Sequence, residues 1–145
     1  MAFELFNLAG KRALVTGSSQ GIGLAIARGL AEHGASVVLN GREGNKLEAA
    51  AASLSATGHK AAVACFDVTV AEAVRDNIAM IERSIGAIDV LVNNAGMQFR
   101  TPLEDFPAEK WEQLLRTNVS SAFYVGQAVA RHMIPRGRGK IINIA

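Results

Sequence analysis

Thr16-Gly17-Ser18-Ser19-Gln20-Gly21-Ile22-Gly23 is the first stretch of the chain whose residue types and spacing can do chemistry. Glycines spaced this way let a backbone turn sharply, approach a ligand closely, and pack a helix tightly on the strand before it. A helix starting there presents unsatisfied N–H donors and the positive end of its dipole, which suit an anionic diphosphate. Gly17, Ser19, Gln20, Gly21, Ile22 and Gly23 are therefore the candidate phosphate cradle. Two rival uses of the same residues fail. A Walker-type loop needs Lys and then Ser or Thr after its last glycine, where this chain has Leu24 and Ala25. Gly17 to Gly21 also fits G-x-S-x-G, with Ser19 as nucleophile and His132 as base. A nucleophile elbow, however, needs earlier strands to furnish its oxyanion loop, and only about a dozen residues precede this strand.

The second candidate lies after the apolar run Val37-Val38-Leu39, where Asn40-Gly41-Arg42 contains no carboxylate. In a dinucleotide fold an acid at this point accepts from the adenosine 2′-hydroxyl and repels a 2′-phosphate. Arg42 offers instead a permanent charge and a planar fork suited to phosphate, so NADP is favoured over NAD. Asp67, at the end of a third apolar run, either accepts from an adenine amino group or caps the approach to the next helix. His33, His59 and His132 have no partner at metal-ligand spacing, so they read as surface or helix-end residues and no metal is implied.

The elements that must position these groups follow from periodicity. Ala13-Leu14-Val15 is a strand, and Ile22, Ile26 and Leu30 then recur at helical spacing up to a Gly34 cap. Strand and helix repeat through Val37 to Leu39, Leu47 and Leu54, Gly58, and Ala61 to Phe66. Thr69 and Glu72 form a capping box for a helix carrying Val74, Ile78 and Ile81. Ile88 to Val92 is a fourth strand. Pro107 then takes the first position of a long helix bearing Trp111, Leu114, Leu115, Val119 and Phe123, which Pro135 and the following glycines break. Lys140 to Ile144 is a fifth strand. Near-continuous apolar strands alternating with amphipathic helices imply an α/β fold of the Rossmann type, a doubly wound parallel sheet with helices on both faces.

Composition agrees with a single dinucleotide-binding domain over 1–145. Half of the 145 residues are apolar and the net charge is +2. Arg131, Arg136, Arg138 and Lys140 gather near the end and read as a solvated surface, without the aromatic platform or recognition helix that nucleic-acid binding needs. Cys65 stands alone in an apolar run, as a core residue in a reducing compartment. The start, Met1 to Gly10, has an acidic Glu4 and no basic leader, and no segment is apolar for long enough to span a bilayer. A cytoplasmic protein is expected.

Thr16-Gly17-x-x-x-Gly21-x-Gly23, Asp67-Val68, Asn93-Asn94-Ala95-Gly96 and Thr117-Asn118-Val119 occur together and in order, and the whole chain resembles the short-chain dehydrogenases/reductases. The resemblance implies that Val68, Asn94, Ala95 and Gly96 join the cofactor site. It also implies that Asn118 kinks the long helix and holds a water in a proton relay. Longer phrases, among them Asn94 to Phe106 and Gln127 to Lys140, are similar to family members that interconvert a hydroxyl and a ketone on a polyhydroxy acid. A carbonyl reductase of other specificity and a non-catalytic dinucleotide sensor remain alternatives. A homo-oligomer with the long helix at an interface is expected.

One departure concerns Gln20, where many NADP-using relatives carry arginine, so the cofactor preference leans on Arg42. Arg100, in the loop after the fourth strand, is placed to hold the carboxylate of a small-molecule substrate, or else is solvated or pairs with Glu104 or Asp105. The family's chemistry also uses a serine after the fifth strand and a tyrosine with a lysine four residues on. The single tyrosine, Tyr124, is followed at that spacing by Ala128. The chain is therefore expected to be a portion of a longer enzyme, ending before those groups.

Overall fold

The computed structural model describes residues 4–145. Met1 to Phe3, part of the stretch read for a leader, lie outside the described residues. A parallel sheet of order β3-β2-β1-β4-β5 is built from β1 (Arg12–Val15), β2 (Ser36–Gly41), β3 (Ala61–Cys65), β4 (Val90–Asn93) and β5 (Lys140–Asn143). Leu14 stands beside Val38 on one side and Leu91 on the other, so the most apolar run occupies the middle of the sheet. Helices α1 (Gly21–Glu32) and α2 (Gly44–Ser55) cover one face, burying Ala27, Ala31, Leu47 and Leu54 against Val15, Val37 and Leu39. Helices α3 (Ala71–Met80) and α5 (Ser121–Arg136) cover the other, burying Val74, Ile78, Val125 and Val129 against Leu14, Val38 and Leu91. Helix α4 (Ala108–Leu115) runs into α5 through a π turn, Arg116–Ser120, so a single rod spans 108–136. This is the doubly wound α/β sheet the periodicity implies, with its order reversing between β1 and β4.

Local expectations fail at six points, each for a physical reason. Ile22, expected on the buried stripe of α1, is 70% exposed, because the helix meets the sheet through its small residues Gly23, Ala27 and Ala31. The capping box does not form: Thr69 donates its hydroxyl to Asp67 and α3 begins at Ala71 with Val70 as its cap. Pro107 is the N-cap rather than the first helical residue, with an extended ψ of 133°. Pro135 lies inside the last turn of α5, where its missing N–H forgoes one i→i−4 bond and the helix ends one residue later. Gly137, at φ 66°, ends the helix by donating to the Ile134 carbonyl.

Cys65 is exposed rather than buried, since β3 is an edge strand and this last residue lies beyond its covering helix. Arg136 is not a free surface charge: it is only a quarter exposed and is paired. Its two terminal nitrogens grip Glu82 at 2.7 and 3.1 Å and one of them also reaches the Ile88 carbonyl at 3.0 Å. Among the described residues no helix is long and apolar enough to cross a membrane. The outer face of the α4–α5 rod carries Trp111, Leu115, Val119 and Phe123 in the open.

Candidate functional site

The carboxyl ends of β1, β2, β3 and β4 open onto one cleft of about 330 Å³. Its walls follow from how each strand ends. After β1 the chain turns through Gly17 (φ 60°), and Gly21 (φ 59°) admits it to α1, both in the left-handed region that only glycine enters freely. A Cβ on Gly17 would stand 2.9 Å from the Ala95 Cα. One on Gly23 would strike the Gly17 carbonyl and lie 2.5 Å from the Asn94 side-chain nitrogen. These glycines therefore let the loops after β1 and β4 touch, while space above Gly21 stays open. Helix α1 has no side-chain cap at Gln20 and no acid in its first turn, so its N-terminal N–H groups and dipole are available to an anion.

The β4 loop is locked onto this turn. Thr16 Oγ1 accepts the N–H groups of Asn94 and Ala95, both at 3.0 Å, and Asn94 Nδ2 donates to the carbonyls of Thr16 and Gly17, both at 3.1 Å. One loop further, Asn118 Oδ1 accepts the Met97 N–H at 2.8 Å and its Nδ2 donates to the Met97 carbonyl at 3.0 Å. Asn118 lies within the π turn, and its carboxamide grips the Met97 backbone beside Gly96.

Of the residues singled out in the sequence, Gly17, Ser19, Gln20, Arg42, Asp67, Val68, Ala95 and Gly96 line the cleft. Gly23 and Asn94 hold the turn from behind and Gly21 admits it to α1, Asn118 acts through Met97, and Ile22 is exposed outside the lining. Arg100 is exposed on the β4 loop outside the lining, and no carboxylate lies within 4.0 Å of it among the described residues, so the pairing with Glu104 or Asp105 is not made. Asp67 accepts both the N–H and the hydroxyl of Thr69 on Oδ1, at 2.8 and 2.7 Å, which is the capping alternative, and still borders the cleft.

The sequence reading overlooked Glu43, which lines the cleft beside Arg42 and carries the charge a 2′-phosphate would avoid. Lys46, one helical turn on, holds it at 2.8 Å, and that spacing was legible in the sequence. It overlooked Asn40 and Ser18 as well, both buried and both tied to the turn. No charge pattern could have revealed them.

This arrangement fits a dinucleotide. Backbone donors at a helix N-terminus border the cleft, and the exposed Arg42 guanidinium follows the carboxyl end of β2. Together, sheet order and glycine turns define an α/β domain of the doubly wound, Rossmann-like class. The particular family is equally plain: residues 11–145 match the family described as short chain dehydrogenase, and the chain belongs to it.

Its relatives are specific. The chain is 60% identical over 141 residues to a gluconate 5-dehydrogenase of Gluconobacter oxydans (strain 621H), covering 97% of this chain and 55% of that protein. It is 45% identical to a 5-keto-D-gluconate 5-reductase of Escherichia coli (strain K12), covering 97% of this chain and 56% of that one. Among solved structures, a gluconate 5-dehydrogenase from Burkholderia cenocepacia J2315, in complex with NADP and tartrate, superposes with a TM-score of 0.93 at 52% identity, over 97% of this chain and 55% of that one. The chain thus spans about half the length of the relatives it matches.

Proposed function

We propose that the protein carrying this chain is an NADP-dependent oxidoreductase that interconverts gluconate and 5-keto-gluconate, and that residues 1–145 are its dinucleotide-binding part. The observation that carries this reading is the cleft itself, with the α1 N-terminus at one end and Arg42 beside Gly41 at the other. The relatives named for gluconate chemistry support the substrate, and the NADP in the Burkholderia complex supports the cofactor. NAD is the less favoured cofactor, because no free carboxylate ends β2.

When bound, the nicotinamide group supplies or accepts the hydride. This chain's residues do the holding. The first-turn N–H groups of α1 and the loop Gly17 to Gln20 bind the diphosphate, and Arg42 holds the 2′-phosphate. Asp67 and Val68 border the adenine, while Asn94, Ala95 and Gly96 form the wall toward the reacting ring. Asn118 contributes by fixing Met97, with one amide N–H and one oxygen lone pair left for a water. Tyr124, half-buried against the core in the first turn of α5, does not serve as the proton donor. Arg100 holds the substrate carboxylate. The intact protein works in the cytoplasm as a homo-oligomer, with the exposed apolar face of the α4–α5 rod at an interface.

The test is NADPH oxidation by the purified intact protein on addition of 5-keto-gluconate, followed by absorbance. Turnover with NADPH well above that with NADH is expected. Binding of NADPH without turnover of any polyhydroxy keto acid would replace the enzyme by a dinucleotide sensor.

A further inference from the structure

Asn40 is far more connected than a residue ending a strand needs to be. It is 1% exposed at the end of β2 and shares a sheet face with Val38 by alternation. Its N–H donates to Ser18 Oγ at 3.0 Å, and its carbonyl accepts the Ser18 N–H at 2.8 Å. In the side chain, Oδ1 accepts the Gly17 N–H at 3.4 Å, while Nδ2 donates to the carbonyls of Ala64 and Phe66, both at 3.1 Å. Ser18 Oγ passes the connection on to the Val15 carbonyl at 2.7 Å.

These bonds join the two walls of the cleft. Gly17, in the turn after β1, and Phe66, immediately before Asp67 past the end of β3, both line the cleft, as does Asn40 between them in the sheet. Only an amide satisfies both sides at once. An aspartate would set a carboxylate oxygen against two carbonyl oxygens. An aliphatic side chain would leave two buried carbonyls without their donor, a cost comparable to losing the hydrogen bonds themselves. Polarity rather than volume is what this position requires.

We propose that Asn40 is a positioning residue for the dinucleotide: it sets the span between the phosphate-facing turn and the adenosine-facing end of β3, acting through Gly17 and Phe66. The inference rests on the cleft being a dinucleotide site. Because it fixes the frame that every adenine dinucleotide shares, Asn40 governs NADPH and NADH alike, whereas Arg42 governs only the ligand with the 2′-phosphate.

The experiment titrates NADPH and NADH, by the fluorescence of the reduced nicotinamide, into the intact wild-type protein and its Asn40→Ala, Asn40→Asp and Ser18→Ala variants. Each measurement is made well below that protein's unfolding transition. Asn40→Ala and Asn40→Asp should weaken both cofactors by the same factor, about tenfold or more, the scale of a lost buried hydrogen-bond pair. The KM for NADPH should rise while kcat changes by less than about threefold. Ser18→Ala should show the same pattern at smaller size, and it decides the matter if the Asn40 variants do not fold. Folded variants that bind both cofactors as the wild type does, or that lose NADPH alone, overturn the proposal. A wild-type protein that binds neither cofactor overturns the dinucleotide reading instead.

Discussion

Asn118 closes both hydrogen bonds of its carboxamide on a single residue, Met97, accepting its N–H at 2.8 Å and donating to its carbonyl at 3.0 Å. The contact joins the π turn in the α4–α5 rod to the loop leaving β4 and brings Oδ1 to 3.2 Å from where a Gly96 Cβ would stand. The π turn is what rotates Asn118 toward that loop, and such turns gather at functional sites. Asn118→Ala removes both bonds, each contributing about 0.5–1.5 kcal/mol net. Amide exchange at Met97 should accelerate by about tenfold, for a local loss of about 1.4 kcal/mol, while helical circular dichroism is retained. Unchanged exchange at Met97 would show that the loop is held by other contacts.

Two glycines of α1 should respond in opposite directions to the same substitution. At Gly29 an added Cβ meets nothing within 4 Å, so Gly29→Ala should stabilise the protein by about 0.5–1 kcal/mol through helix propensity. At Gly23 the same gain is outweighed, because the Cβ runs into the Gly17 carbonyl and the Asn94 amide and overpacking costs about 1–3 kcal/mol. Gly23→Ala should therefore lower the unfolding midpoint and also weaken NADPH binding, as the turn is pushed off the Thr16–Asn94 lock. Thermal melts and cofactor titration of the two variants side by side read the contrast. Similar behaviour of the pair would refute the close approach.

Arg136 and Glu82 form the bidentate pair that fastens the end of α5 to the approach to β4. The Glu82 carboxylate also accepts the Ile88 N–H at 2.9 Å. Hydrogen bonding to Glu82 holds the Arg136 pKa above its usual value, against the opposing effect of burial. The sign follows directly: a raised folded-state pKa gives stability that is present at all lower pH and is lost only as pH rises through the arginine's own titration. The guanidinium thus stays charged throughout the working range. Glu82→Gln should cost about 2–4 kcal/mol, less than a fully buried broken pair, because the Arg136 side chain keeps a quarter of its surface in water. A double-mutant cycle with Arg136→Met in urea measures it. A coupling near zero would make this an ordinary surface pair.

The sheet, its order and most of the cleft were legible because they rest on patterns that chain position alone enforces: buried strands read as apolar runs, and glycines mark where the backbone must turn. Ile22 and Cys65 misled for a common reason. Hydropathy marks a residue as apolar, but which face meets the sheet is set by close packing of Gly23 and Ala27 in one case and by the edge position of β3 in the other. Asn40, Ser18 and Arg136 were invisible as site or core residues because a hydrogen bond between residues 22 to 54 positions apart leaves no local signature. Polar residues inside a fold are specified by partners rather than by periodicity.

Arg42 and Glu43 stand together in the cleft just after β2, and their charges are not equivalent. Glu43 is engaged by Lys46, whereas the Arg42 side chain has no carboxylate within 4.0 Å among the described residues, and only its carbonyl is used, by the Cys65 thiol at 3.4 Å. Arg42→Gln should weaken NADPH by about tenfold or more, the size of a charge-assisted contact, and leave NADH nearly unchanged. Lys46→Ala should move the balance the same way by freeing the Glu43 carboxylate beside the 2′-phosphate. Equal losses for both cofactors in Arg42→Gln would place the 2′-phosphate elsewhere.

The substrate prediction concerns Arg100, which the fold leaves exposed on the β4 loop. The loop is not loose there. Phe99 packs edge-on against Phe106 with ring centroids 5.4 Å apart, and Lys110 sits over the Phe99 ring at 5.6 Å, so the residue before Arg100 is anchored. With neither Glu104 nor Asp105 taking its charge, the guanidinium is available to a planar carboxylate arriving at the carboxyl ends of the strands. An exposed ion pair contributes little, so the effect depends on the bound substrate excluding water from the contact. In the intact protein Arg100→Ala should raise the KM for 5-keto-gluconate by about tenfold, or about 1.4 kcal/mol, with kcat and the NADPH affinity little changed. Arg100→Lys should recover part of the loss, since it restores the charge without the fork. An unchanged KM, or an equal rise with an uncharged ketone, would remove Arg100 from the site and leave the carboxylate to be held by residues beyond this loop.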